Sequence, residues 1–122
     1  MSIELLVGKT LVDIKPSADN SAIDFCTLNG EAYRLAYLDK HLDSRYAFKL
    51  IGELSDLNNL PITQAYEMNF DEIGFMQGEK EEDTLRRWWK FYKVKSESGE
   101  LVIRWHREAA WDFSVEVGFE KV

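Results

Sequence analysis

Apolar and polar positions alternate with a period of two along most of the chain, the pattern of strands that bury one face. The runs that carry it are residues 9–15, 22–28, 31–38, 46–51, 62–68, 87–95, 100–107 and 113–120, and most are closed by Gly, Pro, Asn, Asp or Ser. Ser55-Asp56-Leu57-Asn58-Asn59-Leu60 reads as one helical turn, capped by Ser55 and stopped by Pro61. The pattern predicts a mainly β fold (α+β is the nearest alternative): an antiparallel meander of about seven or eight strands with one or two short helical turns. Residues 1–122 read as a single globular domain, because the chain is long enough for one core and too short for two.

Two hairpins have a readable register. Asn29-Gly30 between β-prone runs predicts a two-residue type I′ turn, which would pair Phe25 with Arg34 and Cys26 with Tyr33. In the second, 87–95 and 100–107 flank Ser96-Glu97-Ser98-Gly99. A turn at Ser98-Gly99 would set Glu97 against Glu100 and Lys93 against Arg104; a turn spanning 96–99 sets Lys95 against Glu100 instead and is preferred. That register sends Trp88, Tyr92, Val94, Leu101, Ile103 and Trp105 to a core face. Trp89, Phe91, Lys93, Val102, Arg104 and His106 fall on the other face, aromatic and cationic together and expected to be half-buried at best.

Composition adds that the chain should fold: 45% of residues are hydrophobic and 13% aromatic, against 7 Gly and 2 Pro. No apolar run is long enough to span a membrane, and the opening Met1-Ser2-Ile3-Glu4 lacks a basic leader region, so a cytoplasmic location with no membrane contact is expected. The one cysteine, Cys26, excludes an intrachain disulfide and suits a reducing compartment.

Charge changes the picture more. The formal net charge is -7, and nearly all of the excess lies in residues 67–83, where Glu67, Asp71, Glu72, Glu79, Glu81, Glu82 and Asp83 face Lys80 alone. Residues 86–107 reverse the sign, with Arg86, Arg87, Lys90, Lys93, Lys95, Arg104 and Arg107 against Glu97 and Glu100. Direct nucleic-acid binding is disfavoured by the total, since phosphate contacts need clustered cations.

Candidate chemistry is sparse. Cys26 sits mid-strand between Phe25 and Thr27 and reads as a buried, unreactive thiol; His41 lies in a charged loop and His106 ends the aromatic hairpin. No metal-ligand spacing and no Gly-rich phosphate loop is present, so no cofactor and no metal is expected. Two surfaces remain as candidates for partner binding. One is the acidic stretch with Asp71, Glu72, Glu79, Glu81, Glu82 and Asp83. The other is the Trp89, Phe91, Arg104 and His106 face, rich in the residue types that dominate interfaces.

Gly8-Lys9-Thr10-Leu11, Ile23-Asp24-Phe25, Tyr33-Arg34-Leu35, Ile51-Gly52-Glu53-Leu54-Ser55-Asp56-Leu57, Trp89-Lys90-Phe91-Tyr92-Lys93, Val102-Ile103-Arg104-Trp105 and Ser114-Val115-Glu116-Val117 together resemble, in order and spacing, a small family of uncharacterised bacteriophage or prophage proteins of mainly β structure. The chain departs from that family at Tyr37–Leu42 and at Glu108–Ser114. The resemblance implies a phage origin and carries no activity. With it, the expected function is a non-enzymatic protein that binds a host protein in the host cytoplasm, inhibiting a defence or nucleic-acid enzyme through its acidic surface. The alternatives are a small hydrolase or nucleotide-handling enzyme using His41 and His106, and a virion or assembly component.

Overall fold

The alternation folds into antiparallel strands, as the sequence predicts. A computed structural model of the chain describes residues 2–19, 21–38, 45–68, 86–109 and 117–122, with the backbone alone described at 45–47, 86–89 and 107–109. Among the described residues eight strands follow in order: β1 (Leu11–Pro16), β2 (Ala22–Thr27), β3 (Ala32–Tyr37), β4 (Arg45–Ile51), β5 (Gln64–Glu67), β6 (Arg86–Ser96), β7 (Gly99–Ala109) and β8 (Val117–Lys121). They form two four-stranded antiparallel sheets, β1-β2-β3-β8 and β4-β7-β6-β5.

The inner faces of the two sheets supply one core. Ile14, Ile23, Phe25, Leu35 and Phe119 come from the first sheet, and Ala65, Tyr92, Val94, Leu101, Ile103 and Trp105 from the second. Trp105 is fully buried at its centre. The Tyr37 ring meets it edge-on at 4.7 Å, and the Phe48 ring lies 5.1 Å away. The Tyr37 hydroxyl donates to the backbone carbonyl of His106 at 2.9 Å, which ties β3 to β7 across the core.

Along one side the sheets are joined by main chain. The Gly8 N–H donates to the Ile62 carbonyl (2.8 Å), the Ile62 N–H to Lys9 (2.9 Å) and the Asn59 N–H to Leu11 (2.7 Å), so residues 58–62 continue the hydrogen bonding from β1 toward β5. Two isolated bridges, Thr10 with Pro61 and Leu11 with Asn58, thus link the β1 side of one sheet to the segment that leads into β5 of the other. Asn59 takes the left-handed conformation (φ 66) that lets the chain turn there, one that Asn tolerates better than most residues. A 3-10 turn at Ile3–Leu6 closes this end and buries Ile3 and Leu6; Ser2 caps it by accepting from the Glu4 N–H.

Several expectations need correction. The first hairpin pairs Phe25 with Tyr33 and Cys26 with Ala32, one residue away from the expected register. Its loop is Leu28-Asn29-Gly30, with the Thr27 N–H bonded to the Glu31 carbonyl and Gly30 at φ 83. A three-residue loop with Gly in the left-handed region keeps Phe25, Tyr33, Ile23 and Leu35 on one face, whereas the expected pairing set Phe25 against a charge. Cys26 is consequently half-buried on the outer face rather than in the core. The helical turn is a 3-10 turn at Leu54–Asp56, with Glu53 at its N-cap position and no side-chain cap, so Ser55 is not the cap. The last strand is Val117–Lys121; the expected stretch 113–116 lies outside the described residues.

The β6–β7 hairpin has the expected register. Lys95 pairs with Glu100, and Ser96 with Gly99 across the tip. The Ser96 hydroxyl donates to the Asp56 carbonyl at 2.5 Å, and Asp56 lies where a Cβ on Gly99 would stand.

Candidate binding surfaces

The outer face of the second sheet carries part of the expected hairpin site. Across β7, Arg104 pairs with Phe91 on one side and with Lys49 on the other. Val102 pairs with Lys93 and Ile51, and Lys93 in turn with Tyr66. Opposite His106 on β6 stands Trp89, of which only the backbone is described. The face is not uniformly half-buried. Phe91 is 1% exposed and Val102 5%, and with Met68 and a partly buried Tyr66 they form a second apolar cluster. The Met68 N–H donates to the Phe91 carbonyl at 2.8 Å, extending the ladder beyond β5. Phe91 is thus a packing residue and offers a partner no surface. Arg104 and His106 are half-buried, and Lys93 lies 3.8 Å from the Glu100 carboxylate.

Asp71, Glu72, Glu79, Glu81, Glu82, Asp83 and His41 all lie outside the described residues. Glu67, the first acid of the stretch, closes β5 and stands 3.5 Å from Lys90 on the neighbouring strand.

Acids in the described strands are largely matched by cations. Asp24 receives a two-pronged contact from Arg34, Nε to Oδ1 at 2.8 Å and Nη2 to Oδ2 at 3.1 Å. That contact favours the charged guanidinium and raises its pKa further. Glu31 gathers Lys121 (3.1 Å), the Tyr33 hydroxyl (3.0 Å) and Lys9 (3.3 Å), and these three donors hold its carboxyl below the usual range. Glu100 lies between Lys93 and Lys95.

A surface that sequence reasoning missed is the outer face of the first sheet. Lys15, Asp24, Arg34 and Glu120 stand in one row across β1, β2, β3 and β8. Beside it Ala22, Ala36 and Gly118 form a row of small side chains. Two adjoining grooves overlie them. One of about 600 Å³ is lined by Lys15, Pro16, Ser17, Ala22, Asp24 and Arg34. The other, of about 280 Å³, reaches Leu38, Gly118 and Glu120. Leu38 is 64% exposed and lies over Gly118, where a Cβ would collide with it. Alternate positions from Ala22 to Leu28 and from Ala32 to Leu38 carry this face, so the correct hairpin register was the signal that could have found it.

Among the described residues, no group of three or more His, Cys, Asp or Glu is placed to hold a metal ion, and no helix is long and apolar enough to cross a membrane. Comparison with protein-family models, curated proteins and solved structures finds no match.

Proposed function

We propose that the protein is a non-enzymatic, phage-type binding protein that engages a basic surface of a host protein through its acidic stretch, residues 67–83. The observation that supports this reading is how charge is divided along the chain. Outside that stretch 15 acids face 14 bases, and among the described residues Asp24, Glu31 and Glu100 are each met by a cation. Residues 67–83 hold seven acids and one base, a net of -6 that accounts for nearly all of the chain's -7. Concentrated like charge repels itself and contributes nothing to folding, but it steers a cationic partner and strengthens the encounter. The groove of a nucleic-acid enzyme, built to hold phosphates, has the complementary chemistry, and a defence nuclease is one such host target. The burial of Phe91 removes one of the two aromatic residues from the competing hairpin face and shifts weight to the acidic stretch.

The test is affinity capture from a bacterial lysate with three immobilised forms: the wild type, a variant with Glu79, Glu81 and Glu82 changed to Gln and Asp83 to Asn, and Trp89→Ala. The expected outcome is one host protein held by the wild type and by Trp89→Ala at low salt, and not held by the amide variant. Equal capture by the amide variant would contradict the reading. Loss confined to a folded Trp89→Ala would place the contact on the hairpin.

A further inference from the structure

We infer that the outer face of the β1-β2-β3-β8 sheet is a self-association surface that pairs two copies of this chain about a twofold axis parallel to its strands. Three features of that face are self-complementary about one and the same axis, between β2 and β3.

The first is the charge row. Lys15, Asp24, Arg34 and Glu120 alternate in sign from β1 to β8. Rotation about an axis between the two middle strands brings Lys15 over Glu120 of the second copy and Asp24 over its Arg34. Every position in the row then meets its opposite, as an isologous interface requires. A row with two like charges in the middle would repel itself under the same operation.

The second is shape. Ala22 and Ala36 flank the axis as near neighbours and keep the centre of the face low. Leu38 stands up at one end of that row, over Gly118, while the larger groove, bounded by Pro16, Ser17 and Ala22, opens at the other end. The rotation carries Leu38 of each copy into that groove on the other. Projection and hollow are therefore matched twice.

The third is the exposed apolar surface. Leu38 (64%), Leu28 (67%), Val12 (39%) and Val122 (63%) are four of the seven exposed large apolar side chains among the described residues. Leu28, Val12 and Val122 gather at the opposite end of the face from Leu38, around the Asp13, Cys26 and Ala32 row. Face-to-face packing covers both apolar ends, with strands of the two sheets near alignment.

Four strands of about five residues give a face of roughly 19 Å by 17 Å. At about 320 Å² per copy such a contact is smaller than a standard specific interface, so association is weak and depends on concentration.

Sedimentation equilibrium of the full chain, from micromolar to millimolar concentration, reads this directly. The wild type is expected to shift from monomer to dimer, and Leu38→Asp to weaken association by at least about tenfold. Arg34→Glu and Asp24→Arg should each weaken it similarly, because each sets like charges face to face. Mixed in equal amounts the two should associate again, since the carboxylate introduced in one variant then meets the guanidinium introduced in the other. Circular dichroism of each variant checks that the fold is retained. A wild type that stays monomeric, an unaffected Leu38→Asp, or a charge-variant mixture that fails to recover would each overturn the proposal.

Discussion

Glu31 shows what one residue does here. It sits at the mouth of the first hairpin and collects donors from three parts of the chain: Lys121 on β8, Tyr33 on β3 and Lys9 just before β1. Its carboxyl titrates lower folded than unfolded, so its contribution is present above the unfolded value and is lost as pH falls through the depressed folded value. Lys9, raised from 10.5 chiefly by Glu31, behaves in the opposite sense: its contribution is full at neutral pH and fades as pH rises through its folded value. Thermal melts of the wild type and Glu31→Gln across acid pH test this. The gap in Tm should be largest near neutrality and close at the acid end, whereas a gap independent of pH would show that the carboxylate's charge is irrelevant. Cys26 carries a second residue-scale expectation. Half-buried on an outer face between Asp13 and Ala32, it should be labelled by a thiol reagent without unfolding. Sequence alone misplaces it because Phe25 and Cys26 are adjacent, and only one of two neighbours in a strand can face the core.

At the scale of elements, the β6–β7 hairpin was legible and the β2–β3 hairpin was not fully so. In the first, like charges excluded the wrong register and left Lys95 opposite Glu100. In the second, Asn29-Gly30 suited both a two-residue and a three-residue loop, and burial of Phe25 with Tyr33 decided between them. Glycine conformation gives a sharp comparison. Gly30 is at φ 83 with open space around it, whereas Gly52 is at φ 125 with the Glu100 carbonyl where a Cβ would go. Gly30→Ala should cost about 1 kcal/mol and Gly52→Ala at least about 2–3 kcal/mol in urea unfolding. Equal costs would show that the backbone contact at Gly52 relaxes freely. The 3-10 turn at Ile3–Leu6 was invisible to a period-two reading, since four residues are too few to display a helical period; its role is seen only in the burial of Ile3 and Leu6.

For the whole molecule, the mainly β class followed from alternation alone. The arrangement of the strands in two linked sheets did not, because it depends on β8 returning to β3 and on residues 58–62 meeting 8–11. Such long-range pairings leave no local trace in sequence. The two sheets share one buried core that contains Trp105, so Trp105→Ala is expected to lower stability by about 3–5 kcal/mol in a single unfolding transition. Two separate transitions would show that the sheets fold independently. The candidate surfaces were half legible. The acidic stretch is plain in sequence, whereas the face bearing Lys15, Asp24, Arg34 and Glu120 is gathered from four strands that only the fold places side by side.

The proposed role follows from a chain whose charges nearly cancel outside residues 67–83, which carry the surplus. The most direct measurement is the dissociation constant of the purified complex with its captured host protein, titrated against salt for the wild type and the four-amide variant. Steering by concentrated charge predicts that wild-type affinity falls at least about tenfold between about 0.05 and 0.5 M salt, and that the amide variant binds weakly with a much flatter dependence. A wild-type affinity indifferent to salt and equal to that of the amide variant would contradict it.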